Sequence, residues 1–325
     1  MFIKLHYPKS IQDIVNYFYK LNIDMKFKRN TKITQILDSL FEVYSKRVPD
    51  VKKITSEMIK EGMVSSQTEI INDHIAFRTL GVPNLGINSF EKIFLAHGYK
   101  KRDFYHFRAK KLDAYWYSPP AKELPRIFIS ELRVNELSTE AKKIIKSYTE
   151  KIKCDPVDEL DLTNSESVAK FLQTPLWNLP TIEDYEFLLN ESEYASWVIY
   201  NRYYLNHYTI SVHDLPSPYN KLESFNFFLK NIGIKLNTSG GIIKTSKDKL
   251  LRQSSSVANS EKAKFYNNKE RIIAGSYVEF AERSPLPEFK HLIPSKLKSI
   301  HRREGFETSN ADSIFESTFT SQLKG

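Results

Sequence analysis

The sequence predicts an α+β protein in which two βαβββ modules form a cupped, partly closed mixed β-sheet, with helices before and between the modules. Two observations support this fold class. The order strand, helix, three strands occurs twice along the chain, and long segments with helical periodicity precede and separate the two copies.

The first copy begins near Asn72, where short β-like runs replace a helical pattern. One helix, about Ser89 to Ala96, interrupts these runs and ends before Gly98, because glycine readily adopts the left-handed conformation that follows many helices. The strand candidates are HIAFRTL (74–80), RDFYHFRA (102–109), LDAYWYS (112–118) and RIFISELRV (126–134).

The second copy begins with NHYTISV (206–212), and a helix is predicted in KLESFNFFLKNIG (221–233). The three strand candidates that follow are GGIIKTS (240–246), KLLRQSSS (249–256) and GSYVEFAER (275–283).

The two copies also match in detail. Asp73-His74 opens the first and Asn206-His207 the second, and the strands that end the copies, FISELR and YVEFAER, both carry glutamate. Each opening histidine precedes the glycine after its helix by a similar distance, so we predict a structural duplication.

Helices are predicted over residues 11–63, where apolar residues recur at three- and four-residue spacing, with Thr31 as an N-cap. Residues 138–200 are also predicted to be mainly helical, interrupted by Pro175 and Pro180. The predicted division of one integrated catalytic domain is an N-terminal helical region (1–70), first module (71–136), helical connection (137–203), second module (204–284) and C-terminal extension (285–325).

Composition excludes several classes of protein. Of 325 residues 41% are hydrophobic and 13% aromatic, which is typical of a folded chain and not of a disordered one. The single cysteine, Cys154, cannot form an internal disulfide, and no apolar run is as long as a membrane span. The start MFIKLHYPKS lacks the apolar stretch of a signal peptide. We therefore expect a soluble, cytoplasmic protein; its oligomeric state is not predicted.

A formal net charge of +9 raises the alternative of a nucleic-acid-binding protein. The basic residues are spread over short segments that aromatic or acidic residues interrupt, and none forms a long tail. Aromatic and basic residues interleave in FYHFRAKKLDAYWYS, yet packing of a β-sheet explains that segment equally well. Binding of nucleic acid is thus the less favoured interpretation, and an attraction for anionic substrates is a second use of the charge.

Three side chains on strands of the two copies predict a metal site. If the modules lie face to face, His74, His207 and Glu279 point into the shared cavity. Two imidazoles and one carboxylate occupy one face of an octahedral metal and leave open positions for substrate and dioxygen. This ligand set suits Fe(II), although Mn, Co, Ni or Zn can occupy the same site. The other histidines, which no partner pairs, are predicted to be structural: His6, His97, His106, His213, His291 and His301.

The motifs DHIAFRTL, NHYTISV, LLRQSSS and SYVEFAER, together with GFETSNADSIFEST (305–318), resemble the 2-oxoadipate dioxygenase/decarboxylase (hydroxyglutarate synthase) family, over about residues 30–320. That family is similar to the vicinal oxygen chelate superfamily, in which paired βαβββ modules enclose a metal. The resemblance implies that His74, His207 and Glu279 are the metal ligands, and that His74 also contacts the substrate.

The resemblance further implies that Arg78 is a catalytic residue that binds the substrate's carboxylate; the alternative is a structural salt bridge with Glu279 or Glu131. Gln253 and Ser255 resemble the pocket-lining residues of related 2-oxo acid dioxygenases.

The choice between two glutamates of the last strand rests on spacing. Glu279 and Glu282 are three residues apart and so face opposite sides of a regular strand. We choose Glu279 as the ligand, because it fits the position of the ligand in the relatives. Glu131, on the corresponding strand of the first copy, is either a further cavity residue or a partner of Arg133 or another surface base.

The resemblance implies a reaction as well. A 2-oxo dicarboxylic acid, with 2-oxoadipate expected, binds Fe(II) and reacts with dioxygen to give 2-hydroxyglutarate and carbon dioxide in lysine breakdown, without an external reductant. The alternatives are a glyoxalase-like isomerase, lyase or extradiol dioxygenase of the same architecture, and a basic nucleic-acid-binding protein without enzymatic activity.

Overall fold

Two helices near the N-terminus lie where the sequence predicts them. The computed structural model describes residues 27 and 29–323, so the part of the helical prediction that falls on residues 11–26 lies outside the described part of the chain. Helices α1 (Lys32–Arg47) and α2 (Pro49–Lys60) follow. Thr31 caps α1 in a capping box, because its hydroxyl accepts from the backbone N–H of Thr34 and the Thr34 side chain accepts in return.

The two βαβββ copies form one eight-stranded mixed sheet with the order β2-β3-β4-β1-β5-β10-β7-β6. The first copy comprises β1 (Asn72–Leu80), α3 (Ile87–Ala96), β2 (Lys100–Phe107), β3 (Leu112–Ser118) and β4 (Arg126–Leu132). The second comprises β5 (His207–Ser211), α8 (Leu222–Asn231), β6 (Lys244–Thr245), β7 (Leu251–Ser255) and β10 (Tyr277–Arg283).

The strand order of each copy mirrors that of the other. In each, the first strand pairs in parallel with the last, and the antiparallel pair β1–β5 joins the copies at the centre of the sheet. The sheet curls into a half-barrel around its central strands. The predicted α+β fold with two βαβββ modules is confirmed.

Two details of the second copy differ from the sequence-based expectation. The candidate strand 240–246 shortens to the two residues of β6. A hairpin of β8 (Ser260–Lys264) and β9 (Glu270–Ala274), which was not predicted, is inserted before β10 and forms a separate two-stranded sheet. Charged residues dominate this hairpin and mask its strand pattern.

Helices of the modules cover the outer face of the sheet. Phe90 and Phe94 of α3 pack against Phe77 of β1, and Phe225 of α8 packs against Phe280 of β10. Because the outer face is buried under helices and the inner face lines the cavity, every residue of β1 is buried.

The segment between the modules is helical, as predicted. It contains α4 (Thr139–Thr149), α5 (Ser165–Gln173), α6 (Ile182–Glu191) and α7 (Glu193–Asn201), and the chain ends with α9 (Thr308–Phe315) and α10 (Thr320–Leu323). Short 3-10 turns connect these elements. Cys154 is exposed and free. Among the helices described, none combines the length and apolarity needed to cross a membrane.

Candidate metal centre

A β-bulge in β1 brings two neighbouring side chains to the same place. The register of β1 against β5 shifts between Asn72 and His74, so the alternation of side chains is broken there. As a result His74 Nδ1 lies 2.8 Å from Asp73 Oδ1, and both side chains are buried. Because Nδ1–H donates to the carboxylate, Nε2 is the nitrogen that a neutral His74 ring offers to a metal, and the Thr209 hydroxyl lies 3.1 Å from it.

The second histidine is oriented in a related way. His207 opens β5, opposite Ala76 of β1 and Tyr277 of β10. Its Nδ1–H donates to Asn206 Oδ1 at 3.1 Å, so its Nε2 also presents a lone pair to the cavity. In each copy, therefore, the residue before the histidine orients the imidazole ring: Asp73 orients His74, and Asn206 orients His207.

Glu279 completes the group from the middle of β10. Its carboxylate oxygens lie 3.5 Å from His74 Nε2 and 3.2 Å from His207 Nε2. Gln253 of β7 donates from its side-chain amide to Glu279 Oε1 at 2.6 Å, and Asn310 of α9 donates to the side-chain oxygen Oε1 of Gln253 at 3.0 Å. This chain of hydrogen bonds holds the Glu279 carboxylate in one orientation.

The donor atoms fit a metal ion. The two Nε2 atoms lie 3.3 Å apart, and the Nδ1 atom of each ring is already beside an oxygen acceptor. Adjacent ligands about 2.1 Å from one octahedral ion lie about 3.0 Å apart. The separations of 3.2 to 3.5 Å are near this value, and the three residues are the group of possible metal ligands found in the described chain.

The two histidines differ electrostatically. Burial lowers the pKa of His74, but the Glu279 and Asp73 carboxylates outweigh it, and the net shift is upward. Burial lowers the pKa of His207 well below its usual value, and the positive charges of His74 and Arg78 act in the same direction. Neutral imidazole is the form that binds metal, and it is the form that this environment favours at His207.

The Asp73 carboxylate is itself held by arginines. Arg283 of β10 donates to it from Nε at 2.7 Å and from Nη2 at 2.9 Å. Burial raises the pKa of Asp73, but Arg283 and Arg126 outweigh this effect and hold it well below the usual value. The partner of His74 is thus an ionised carboxylate, which increases the basicity of the ring.

Arg78 lies on the inner face of β1, four residues beyond His74, and is 1% exposed. Its Nη1 donates to Thr318 Oγ1 at 3.0 Å and its Nη2 to the Phe315 carbonyl at 3.1 Å. Nε has no hydrogen-bond partner in the described chain, and no carboxylate there forms an ion pair with the guanidinium. The alternative of a salt bridge with Glu279 or Glu131 is therefore wrong.

Two further predicted residues share the inner face with Glu279. Ser255 is directly opposite Glu279 in the β7–β10 pair, and Gln253 is two residues along. Gln253 contacts Glu279, whereas the Ser255 hydroxyl is 2.8 Å from that of Ser317. Both side chains are buried beside the candidate metal centre.

The two other glutamates considered as cavity residues, Glu282 and Glu131, instead accept hydrogen bonds at the starts of the module helices. Glu282 faces away from the cavity, accepts from the backbone N–H of Leu222 at the start of α8, and pairs with Arg252. Glu131 accepts in the same way from the N–H of Ile87 at the start of α3. The idea that Glu131 approaches the cavity or pairs with Arg133 is wrong, because it is the structural counterpart of Glu282, not of Glu279.

The closing segment (residues 305–318) covers the inner face of the sheet. The Phe306 ring packs edge-on against the His74 ring, with centroids 4.8 Å apart, and at a tilt against Phe128, with centroids 4.9 Å apart. Asn310 contacts Gln253. Sequence reasoning recognised this segment only as part of a family motif. It also missed the roles of Asp73 and Asn206, although each directly precedes a ligand histidine in its copy.

The other histidines stay apart from this group. His213 lies beside Ser211, and His106 contacts Asp113 at the surface. His6 is outside the described residues.

Comparison with known proteins places the chain among oxygen-using enzymes. The family model for 2-oxoadipate dioxygenase/decarboxylase matches residues 36–295. A chloroplastic 2-oxoadipate dioxygenase/decarboxylase of Arabidopsis thaliana is 42% identical over 299 residues, which is 89% of this chain and 78% of the relative.

Solved structures agree. The crystal structure of the hydroxyglutarate synthase of Oryza sativa in complex with 2-oxoadipate is 36% identical, with a TM-score of 0.81, and the match covers 100% of this chain and 99% of that one. A putative glyoxalase superfamily protein from Ralstonia eutropha, 19% identical with a TM-score of 0.65 over 86% of this chain and 88% of that one, shares the fold.

Proposed function

The chain belongs to the 2-oxoadipate dioxygenase/decarboxylase family, and from that premise we propose that His74, His207 and Glu279 bind Fe(II). Membership makes the protein a dioxygen-using enzyme that decarboxylates 2-oxoadipate to 2-hydroxyglutarate, and decides against the glyoxalase-like and nucleic-acid-binding alternatives. The observation that carries the metal proposal is the convergence of two Nε2 atoms and one carboxylate within 4.8 Å of one another.

Iron is preferred by ligand chemistry. Two neutral imidazoles and one carboxylate, with no thiolate among the three, are the donor set of mononuclear Fe(II) oxygenases. Bound Fe(II) would supply open coordination positions and the redox chemistry that the reaction with dioxygen requires. The protein's residues supply the orientation of the ligands, through Asp73, Asn206 and Gln253.

Arg78 is proposed to bind the substrate carboxylate that is remote from the keto group. Its guanidinium is buried and donates to a hydroxyl and a carbonyl, and no described carboxylate forms an ion pair with it, although Glu193 acts on it electrostatically from a greater distance. Burying a cation without a counter-charge is costly, so an anionic substrate relieves that cost on binding. The planar fork of an arginine also fixes a carboxylate in one orientation, which sets the position of the chain.

The cavity is proposed to exclude water during the reaction. Phe306, Trp116 and Phe128 form an aromatic cluster beside His74 under the closing segment. Exclusion of water strengthens the interaction of Arg78 with a carboxylate and limits side reactions. Gln253 and Ser255, on the opposite side of the group, are proposed to line the substrate position.

The experiment loads the purified protein with Fe(II) under anaerobic conditions and follows dioxygen uptake with a panel of 2-oxo acids. We expect uptake with 2-oxoadipate, formation of equal amounts of 2-hydroxyglutarate and carbon dioxide, and loss of both in His207→Ala. Manganese, cobalt, nickel and zinc serve as comparison metals. Absence of uptake with every acid and with Fe(II) would rule out the proposed reaction.

A cytoplasmic location is also proposed. The Arabidopsis and rice relatives are named as chloroplastic proteins. Fractionation of host cells with an antibody to this protein tests the location, and recovery in an organelle would contradict it.

A further inference from the structure

Lys244 is a second buried cation on the inner face of the sheet. It is 4% exposed and lies on β6, directly opposite Gln253 of β7. Residues directly opposite in an antiparallel pair point to the same side, so Lys244, Gln253 and Ser255 share the face that carries Glu279.

The ammonium group of Lys244 lacks a counter-ion. Nζ donates to the Asn237 carbonyl at 2.9 Å and lies 3.5 Å from the Ile242 carbonyl, and no carboxylate of the described residues forms an ion pair with it. An ammonium has three donors, so this environment leaves capacity for an anion. Burial lowers the pKa of Lys244 to about 8, although Glu279 and Glu316 oppose the shift.

Arg78 and Lys244 lie on opposite sides of the metal centre in the register of the sheet. His74, Thr209, Glu279 and Ser255 are opposite one another in adjacent strands and define one level. Lys244 is one inward position to one side of that level, because its partner Gln253 precedes Ser255 by two residues. Arg78 is two inward positions to the other side, four residues beyond His74.

The closing segment connects the two cations. Thr318 and the Phe315 carbonyl contact Arg78, while Ser317 contacts Asn237, whose carbonyl accepts from Lys244. Both cations are therefore held under the same short stretch of chain, with the metal centre between them.

We propose that Lys244 binds the carboxylate adjacent to the keto group, so that a 2-oxo dicarboxylate is held by one cation on each side of the metal centre. The inference rests on the proposed function. It follows from position, because Lys244 is one inward position from the level of Glu279 and Arg78 is one inward position beyond Ala76, which is opposite His207, so the two cations flank the metal centre. Since the proposed function assigns the remote carboxylate to Arg78, Lys244 is left with the carboxylate next to the keto group.

The test uses two substrates that differ only at the remote end. 2-Oxoadipate has both carboxylates, and 2-oxohexanoate has the same chain length and keto acid group without the second carboxylate. Binding of each is measured by calorimetry to the Fe(II)-loaded full-length protein without dioxygen, and KM and kcat are measured by dioxygen uptake.

Lys244→Met is expected to lower the affinity for both ligands by a similar factor, roughly 10- to 100-fold, because a charge-assisted hydrogen bond to the shared carboxylate is lost. Arg78→Met is expected to weaken 2-oxoadipate by a comparable factor and to leave 2-oxohexanoate nearly unchanged. Lys244→Arg is expected to recover most of the affinity. Lys92→Met, at a lysine paired with Asp155 on the outer helix α3, is the matched control and should change neither ligand.

Three results would overturn the inference. One is a loss in Lys244→Met that is confined to 2-oxoadipate, which would place Lys244 at the remote carboxylate. The second is an unchanged affinity for both ligands with a lower melting temperature, which would make the lysine structural. The third is a reduced iron content that accounts for the weaker binding. Failure of the proposed reaction is distinguishable, because the anaerobic binding measurement needs no turnover.

Discussion

The two modules have the same topology, but the inner faces of their sheets differ in polarity. Superposing their registers on His74 and His207 pairs four inward positions of the first module with four of the second. The first module has aromatic or small residues at these positions and the second has polar ones: Phe128, Trp116, Ala114 and Tyr105 against Glu279, Ser255, Gln253 and Lys244.

The difference shows how a duplicated unit can divide its tasks. Each module contributes one histidine from its first strand, with a preceding Asp73 or Asn206 to orient the ring. Only the second contributes a carboxylate and further polar groups, while the first packs its aromatic side chains against Phe306 of the closing segment. The second module thus provides most of the polar groups of the site, and the first provides an aromatic surface on the other side of it.

The largest effect is expected from Glu279→Gln, which removes the only carboxylate of the proposed ligand set. The isosteric amide keeps the shape of the site, so we expect a folded protein whose Fe(II) affinity falls at least about 100-fold and whose dioxygen uptake is lost. Iron content after gel filtration and dioxygen uptake are the measurements. Glu282→Gln, three residues away on the other face of β10, is the control and should retain iron; equal iron content in both variants would contradict the assignment.

The second prediction contrasts the two residues that orient the histidines. Asp73→Asn leaves Arg283 buried without its counter-charge, so we expect a loss of about 3–5 kcal/mol in the free energy of unfolding. Asn206→Ala removes one neutral hydrogen bond and should cost only about 1 kcal/mol. Denaturant unfolding of the metal-free proteins measures both, and similar losses would show that the charge at Asp73 has no special role.

A smaller effect is expected at the glutamates that cap the module helices. Glu131→Gln and Glu282→Gln each weaken a hydrogen bond to the first helical N–H and remove a negative charge from a helix N-terminus, at a cost of about 1–2 kcal/mol. Glu282→Gln should cost more, because Glu282 also pairs with Arg252. Thermal unfolding of the two variants tests this order, and the reverse order would show that the ion pair with Arg252 does not add to stability.

The smallest effect is predicted for Phe128→Leu in the first module. Phe128 corresponds to Glu279 by register, and its ring packs against the rings of Tyr105 and Phe306. We expect a loss of about 1 kcal/mol in the free energy of unfolding and an unchanged Fe(II) affinity. A marked drop in metal affinity would show that the aromatic wall also shapes the ligand set.

Several features were predictable because they depend on local periodicity or on repetition. Alternating and helical patterns identified most strands and helices, and the recurrence of His74 and His207 at the start of each copy made two isolated histidines into a pair. Strand alternation separated Glu279 from Glu282, and the structure places only the former beside the histidines. The hairpin of β8 and β9 was missed because its charged residues obscure the alternation.

Other features required the register of strands distant in sequence. Three features follow from cross-strand pairing. They are the bulge that places the Asp73 carboxylate beside the His74 ring, the equivalence of Glu131 with Glu282, and the position of Lys244 beside Gln253. A shift of one residue in any of these pairs would turn the side chains to the opposite face.

By itself the sequence determined the duplicated topology and the identity of the three residues that converge, because periodicity and repetition are written along the chain. Only the tertiary structure decided that Arg78 lacks an ionic partner, that the closing segment covers the site, and that Lys244 lies beside the metal centre. The first two features depend on contacts between residues more than two hundred positions apart, and the third depends on the pairing register of β6 and β7. The local pattern of hydrophobic and polar residues carries no information on either.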